Sequence, residues 1–568
     1  MLIIGGYGVF GGKLADALSA DPAFDVIVAG RSLQKAERFC EGKACRPLAL
    51  DKAAPDFAKR IAAARPFILI DATGPFQAED STVYRTAEAA LACGAHYLDL
   101  SDDGAFTSGI DVLDEAATAK GLTVLSGASS VPALSSAAVI ALADGLTGID
   151  HIESVILPGN RAPRGLSVVE AIVGQAGRPL ATCRAGRWMP VTGWGERRTV
   201  SLEVPGERPV RNRWASFIGA PDLVLFPENF QARSVSFRAG LDLKLLHGGL
   251  ALLSLPVRWG LVRSLSPLAP ALKWIADRLE PFGSSTGGMK VSVTGRTPTG
   301  KPEHRNWTLI AKSGDGPSIP AIPAEIVCHK LAAGTVRPGA RPCLGEFTLD
   351  EAEAALARLR TATARTTQAT PFLFETVLGP GFTALPPEIR ELHAITFARR
   401  WTGRARIARG RSLFSRLAGA FAGFPPAGEN VPVTVEMTRR GNTETWVRTF
   451  GTRRFRSFLS PDGPPGSGQM GERFGLMRFR IGLNATSERL DYPVLSGRVL
   501  GIPLPGFLLP RSTTWESVDA EGRACFDVRL DLPLGGHVAT YSGWLVPDDD
   551  PPPRARDATT LDVSHQPE

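Results

Sequence analysis

Short apolar runs and stretches of helical period alternate from Leu2 to Leu125, with only a few turn residues between them. Six strands are predicted: Leu2–Ile4, Asp25–Ala29, Pro47–Leu50, Phe67–Asp71, Tyr97–Leu100 and Leu122–Leu125. Helices are predicted between them over Gly11–Ala20, Leu33–Cys40, Phe57–Ala64, Thr82–Cys93 and Ile110–Ala119. Phe67–Asp71 is apolar on both of its alternating faces, as a strand covered from both sides must be. Repeated strand–helix alternation of this kind predicts a doubly wound parallel sheet over residues 1–127.

The pattern then changes twice. Residues 128–350 mix helical and strand periods, which predicts an α+β domain for substrate binding and dimerisation. Residues 351–370 give one short helix and then Thr-Ala-Thr-Ala-Arg-Thr-Thr-Gln-Ala-Thr, which lacks an apolar period and reads as a linker. From 371 to 547 most segments alternate strictly, as in Cys525-Phe526-Asp527-Val528-Arg529-Leu530. Alternation buries one face and wets the other, so a mainly antiparallel β domain, strongly curved or a partial barrel, is expected. The acidic and Pro-rich tail, 548–568, is expected to be disordered.

Gly6-Tyr7-Gly8-Val9-Phe10-Gly11 adds chemistry to the first strand–helix junction. The expectation is a Rossmann dinucleotide site: Gly6 for the tight turn, Gly8 for close approach of a pyrophosphate, and Gly11 for helix–strand packing. Val9 and Phe10 are expected against the cofactor, just before the helix that starts around Gly11, whose free N–H groups and dipole attract phosphate. The second strand ends in Val28-Ala29-Gly30-Arg31-Ser32 with no acid to hold a ribose 2′-hydroxyl. Arg31 can pair a 2′-phosphate bidentately, Ser32 can cap the next helix, and Lys35 adds charge. NADP (NADPH) is therefore the expected cofactor.

The fourth strand leads into Asp71-Ala72-Thr73-Gly74-Pro75-Phe76, at the carboxyl edge where such sheets bind ligands. Thr73 and Gly74 are expected against the cofactor, and Pro75 and Phe76 as a wall beside the nicotinamide. Asp99-Leu100-Ser101-Asp102-Asp103 closes the fifth strand at the same edge, where its carboxylates serve either as acid–base groups or as helix caps. Ser126-Gly127-Ala128-Ser129-Ser130 enters the next domain along the cleft. Asp99, Ser101 and Ser129 are the candidate catalytic residues. The eight His are dispersed, His96 and His151 lack a visible partner, and no His or Cys spacing suits a metal, so none is expected.

Composition narrows the partners. Residues 371–547 carry 22 Arg against 15 Asp and Glu, an excess of 7 that equals the whole chain's +7. These arginines are interleaved with strand residues rather than clustered, so no nucleic-acid partner is expected. Seven scattered Cys and the absence of a leader pattern fit a reducing cytoplasm. The Leu-, Pro- and Trp-rich stretch 241–280 has no uncharged run longer than Gly248–Val257, about half of the ~20 residues of a span. It reads as helices packed over an apolar pocket or an interface, with peripheral contact at a membrane surface as the alternative.

These motifs, with Tyr97-Leu98-Asp99-Leu100-Ser101, Gly127-Ala128-Ser129-Ser130-Val131-Pro132 and Gly339-Ala340-Arg341-Pro342-Cys343-Leu344-Gly345, resemble the saccharopine-dehydrogenase-like oxidoreductase family over about 1–350. The resemblance implies a nucleotide-binding domain, an α+β domain and pairing as a homodimer. After the sixth strand the saccharopine-forming members carry an Asp-Pro-Gly type turn and a nearby His, both missing from Ser130–Ser136. That departure argues against lysine metabolism, and the apolar 241–280 stretch argues for a lipophilic substrate. The last third resembles an uncharacterised domain often fused behind such oxidoreductases, through Trp446-Val447-Arg448-Thr449-Phe450-Gly451 and Tyr541-Ser542-Gly543-Trp544-Leu545 among others. Glu444, Trp446, Arg448, Glu472 and Arg473 there either line a ligand cup or form cross-strand ion pairs. The resulting expectation is an NADP-dependent oxidoreductase moving hydride to or from a C=N, C=O or C=C bond of a small or lipophilic substrate. Its rival is a non-catalytic lipid-binding or scaffolding protein stabilised by nucleotide.

Overall fold

The computed structural model describes the whole chain except Pro75, residues 77–82, Arg164, and residues 411–424, 533–535 and 549–568. The expected tail therefore lies outside the described residues apart from Asp548.

The first sheet is parallel and doubly wound. Its strands are β1 (Leu2–Ile4), β2 (Val26–Gly30), β3 (Cys45–Ala49), β4 (Ile68–Asp71), β5 (His96–Asp99) and β6 (Thr123–Ser126). β1 runs between β2 and β4, with Ile4 beside Ala29 on one side and Asp71 on the other. Leu2, Ile3 and Ile4 are fully buried, as a central strand under two helix layers requires. Helix α1 (Val9–Ser19) follows β1 and buries Leu14, Ala15 and Leu18.

Two sequence expectations are corrected. Six strands and a boundary at 127 were expected, but Gly339–Pro342 returns as a seventh strand parallel to β6. A four-residue strand with two special residues has no period to read, yet it saturates the β6 edge that would otherwise be left unpaired. The expected linker is the second correction. Thr361–Ala369 pairs antiparallel with Pro302–Ala311, from Thr361 beside Ala311 to Ala369 beside Glu303. It is an edge strand with little buried surface, so β-branched Thr suffices and no apolar stripe is needed.

The middle domain is a seven-stranded mixed sheet in which Gly148–Leu157 lies between Val235–Leu241, parallel, and Gly287–Arg296, antiparallel. Trp307 is fully buried there and its indole N–H donates to Glu353 Oε1 at 2.8 Å. Arg238 is also fully buried, pairs with Glu153 at 2.9 Å and lies over the Phe217 ring. The 241–280 stretch folds into helices Lys244–Leu253, Leu255–Arg258 and Ala269–Arg278. No helix among the described residues is long and apolar enough to cross a membrane.

The C-terminal domain is one 13-stranded antiparallel sheet among the described residues. Phe450 and Phe526 sit four strands apart, which is roughly 19 Å on a flat sheet. Their ring centroids are 6.4 Å apart, so the sheet curls into a barrel-like cup with aromatic rings inside. Within it Arg448 pairs with Glu472 at 3.6 Å, and Glu444 accepts the Trp446 indole N–H at 2.9 Å. Arg473 instead lies over the Phe458 ring. The cup is docked against the middle sheet: Phe397 stacks on His151, and Arg296 pairs with Glu391 at 2.9 Å.

Asp222, fully buried in helix Pro221–Asn229, accepts hydroxyl hydrogen bonds from Ser135 at 2.9 Å and Ser154 at 2.7 Å. Burial pushes its pKa up to about 7. The folded state thus keeps a proton that the unfolded chain releases at ordinary carboxylate pH, so stability is lost as pH rises from about 4 through about 7. The urea midpoint should fall between pH 5 and pH 8. Asp222→Asn should remove roughly 1–4 kcal/mol of that dependence; an unchanged pH slope in the variant would contradict this assignment.

Candidate active site

The site begins at the β1–α1 junction. Gly5 has φ +76°, and a Cβ there would come within 2.9 Å of the Ala72 carbonyl oxygen. Gly5 therefore makes the left-handed turn assigned from sequence to Gly6. A Cβ on Gly6 would instead press on the Ile3 carbonyl oxygen, also at 2.9 Å. A Cβ on Gly11 would stand 2.4 Å from the Gly5 carbonyl oxygen, so Gly11 serves helix–strand packing as expected. Gly8 is the N-cap residue of α1 and carries no side-chain cap, and the first turn contains no acid. The N–H groups at the helix start are thus free to meet an anion, and the helix dipole favours one.

A cavity of about 1220 Å³ starts on this loop and runs into the middle domain. Gly8, Val9, Phe10, Arg31, Thr73 and Gly74 line its polar end, with Phe76 and Ser129 beside them. Gly6, Gly11 and Ser32 do not line it. Ser32 acts indirectly: its hydroxyl caps the next helix by accepting the Lys35 N–H at 3.3 Å, and its own N–H donates to Tyr7 Oη at 3.1 Å. Tyr7 in turn lies against Gly30, where a Cβ would collide with Tyr7 Oη at 2.4 Å. Pro75 lies outside the described residues. Arg31 is exposed at the cavity edge, and its side chain makes no hydrogen bond or ion pair among the described residues.

Two of the three expected catalytic residues are displaced from the cleft. Asp99 is fully buried and does not line the cavity; it accepts from Ser101 N–H at 3.0 Å, Ser126 Oγ at 2.9 Å and Gly127 N–H at 2.8 Å. Burial raises its pKa to about 7. Ser101 is buried beside it, and its hydroxyl accepts the Asp103 N–H at 3.2 Å. Both residues brace the loop, and neither lines the cavity. Ser129 does face the cavity, together with Ser130.

Two lining residues were not among those candidates. Asp102 is exposed at the cavity, and no cation pairs with it among the described residues. Its signal was present in the acidic run after β5, but sequence alone could not show which carboxylate points outward. Lys52, two residues past the Leu50 end of the third strand motif, donates to Asp71 Oδ2 at 2.6 Å and Thr73 Oγ1 at 3.0 Å. An ammonium has three N–H bonds, so one remains for a ligand on the cavity side.

Beyond Ser129 the lining turns apolar, with Ile172, Phe237, Leu246, Leu250, Leu272 and Met289. The whole forms a passage with an anion-binding end, a polar waist and an apolar far end. A nicotinamide dinucleotide fits the first part: an open helix start, a glycine at its N-cap and two cations at the rim.

Residues 1–125 match the family described as the saccharopine dehydrogenase NADP binding domain, and residues 385–545 match a domain of unknown function, DUF4166. Among solved structures, saccharopine dehydrogenase (L-Glu forming) from Saccharomyces cerevisiae is similar at 14% identity and TM-score 0.47, over 65% of this chain and 99% of that one. Biliverdin reductase from Synechocystis sp. PCC 6803 follows at 12% identity and TM-score 0.29, over 63% and 95%. The WlbA dehydrogenase from Thermus thermophilus gives 13% identity and TM-score 0.28, over 63% and 92%. No curated protein matches the chain. The chain fuses a saccharopine-dehydrogenase-type nucleotide-binding region to a DUF4166 region, and it is an NAD(P)-dependent oxidoreductase.

A Cβ at Gly8 meets only the Gly5 carbonyl oxygen, at 3.0 Å, and otherwise projects into the cradle. Gly8→Val should therefore leave the melting temperature nearly unchanged while weakening nucleotide binding at least about tenfold, ~1.4 kcal/mol, by calorimetry. Gly11→Ala should do the reverse and destabilise the fold. Equal affinity in wild type and Gly8→Val would remove the loop from the binding site.

Proposed function

We propose that the chain is an NADP-dependent oxidoreductase acting on a lipophilic substrate, with hydride passing to or from a C=N, C=O or C=C bond. The observation that carries this reading is the single continuous passage from Gly8 and Arg31 to the apolar lining of Leu246, Leu250 and Leu272. Arg31, without a side-chain partner among the described residues, is suited to a 2′-phosphate, and no acid at the end of β2 competes for a 2′-hydroxyl.

When bound, the nicotinamide supplies or accepts the hydride. The chain's own residues do the rest. The α1 start and Lys52 orient phosphates, and Phe76 walls the cleft beside them. Ser129 and Ser130 offer hydroxyls to the substrate's polarised atom. Asp102, a carboxyl exposed to the cavity, is placed to give up the proton that reduction of the substrate consumes. In the reducing direction kcat/KM should thus fall as pH rises through the range in which this carboxyl ionises, because the acid is lost there.

Titration with NADPH and with NADH, followed by nicotinamide fluorescence, tests the cofactor. Arg31→Ala should weaken NADPH binding by roughly 1.5–3 kcal/mol, the scale of a charge-assisted bond, and leave NADH nearly unaffected. Equal loss for both nucleotides would refute the 2′-phosphate contact.

A homologous series of alkyl aldehydes, ketones and enones tests the substrate. Burial of each added methylene is worth about 0.8 kcal/mol, so kcat/KM should rise about fourfold per carbon until the passage is full. Asp102→Asn should lower kcat/KM by roughly 10²–10⁴ and flatten the acid limb. Binding of NADPH and of alkyl ligands without turnover on any of these would favour the non-catalytic lipid-binding reading instead.

A further inference from the structure

The helices that close the apolar end of the passage are also the most apolar surface of the protein. Leu245 is 75% exposed, Trp259 65%, Leu261 74%, Trp274 59% and Phe282 75%. About half of all large apolar side chains left exposed among the described residues fall between Leu245 and Phe282. Monomeric soluble proteins rarely leave such a patch without a partner.

Three features say what covers it. Between residues 243 and 282 the chain carries Lys244, Arg258, Arg263, Lys273 and Arg278 against Asp277 and Glu280, a local excess of 3 positive charges. Arg258, Arg263 and Arg278 are exposed within the apolar patch itself. Trp259 and Trp274 have the amphipathic ring that favours the boundary between headgroups and acyl chains. Finally, Leu245, Leu253 and Ile275 are exposed and line the cavity at once, so the passage opens through this patch.

We infer that residues 244–282 form an interfacial docking surface for a lipid layer bearing anionic headgroups, through which an apolar substrate enters the cavity directly. The inference rests on the lipophilic-substrate reading for its purpose, but not for its test. Short amphipathic helices with basic flanks lie in the plane of the interface and bury one face among the acyl chains. Anionic headgroups draw the surrounding Lys and Arg. A second copy of this chain is the poorer occupant. In a two-fold contact the same positive patch would face itself, and the mouth of the passage would be closed.

The test uses the full chain with vesicles of phosphatidylcholine alone and of phosphatidylcholine mixed with phosphatidylglycerol. The wild type should sediment with the mixed vesicles, and added salt should reverse this only in part, because apolar burial remains when charge is screened. The triple variant Trp259→Glu, Leu261→Glu, Phe282→Glu alters residues that do not line the cavity. It should lose vesicle binding at least about tenfold while keeping NADPH affinity, which also reports that it is folded. Should it fail to fold, Arg258→Ser with Arg263→Ser should still shift binding toward the level seen with phosphatidylcholine alone.

Wild-type protein that stays in the supernatant with both vesicles overturns the inference. So does a concentration-dependent dimer, without vesicle binding, that the triple variant dissolves. If vesicle binding fails while kcat/KM still climbs with alkyl chain length, docking alone is wrong; if the chain-length dependence fails while vesicles bind, only the substrate reading falls.

Discussion

One buried carboxylate fixes the geometry on which the rest of the site depends. Asp99 sits at the end of β5 and takes three donors, from Ser101, Ser126 and Gly127, with none of them across solvent. It therefore ties the carboxyl ends of β5 and β6 to the turn that leaves the first domain. That turn carries Ser129 and Ser130 onto the cavity wall, and the loop tied to it at Ser101 carries Asp102. Burying a carboxylate is costly unless hydrogen bonds compensate. Its raised pKa, about 7, records that three donors compensate only in part. Asp222 repeats the device one step later, binding Ser135 of the connecting helix to Ser154 of the middle sheet. Two carboxylates that do not line the cavity thus brace the turn and loop that carry Ser129, Ser130 and Asp102.

The same logic separates the third domain from the site. Part of its inward-facing charge is paired within the cup, as in the contact of Glu516 with His393 at 2.6 Å and with Tyr492 at 2.7 Å. At the seam with the middle sheet, Arg296 reaches Glu391 and Asp548 is held by Arg187 and Arg400 at 2.8 and 2.9 Å. Several of these contacts are partly buried, and Phe397 packs flat on His151. An interface of paired charges around a stacked ring holds orientation as well as proximity. The C-terminal cup is therefore a fixed buttress on the far side of the middle sheet, and the segment before it is a strand rather than a tether.

How far the sequence revealed this depends on how local each signal is. The β1–α1 turn, Arg31 and Thr73 with Gly74 were legible because a strand end, a glycine and a charge within a few residues already determine where they lie. The alternating third domain was legible for the same reason, since period 2 is a property of neighbours. Gly339–Pro342 and Thr361–Ala369 were not, because both are edge strands whose only support is a partner far away in the chain. Asp99 and Asp102 show the limit most clearly. Both lie in one acidic run, three residues apart, and the path of the loop after β5, which no period in the sequence encodes, decides which is buried beneath the sheet edge and which meets the cavity.

The change of polarity along the passage also constrains any chemistry there. Water admitted at the glycine loop meets Lys52, Thr73, Ser129 and Asp102, all able to hold it; beyond Ser129 the wall is mostly Leu, Ile, Met and Phe, and polar side chains there such as Asn160, Gln175 and Asp242 are already engaged by protein partners. A molecule with one polar group and an apolar body has only one low-energy orientation in such a channel, polar end toward the loop. Reversing it would strand the polar group among Leu250, Leu272 and Met289 at a cost of roughly 1–3 kcal/mol or more. Orientation is thus imposed by desolvation rather than by a dedicated recognition group. This explains how a waist that offers Asp102 and the hydroxyls of Ser129 and Ser130 can still present one bond to one cofactor face.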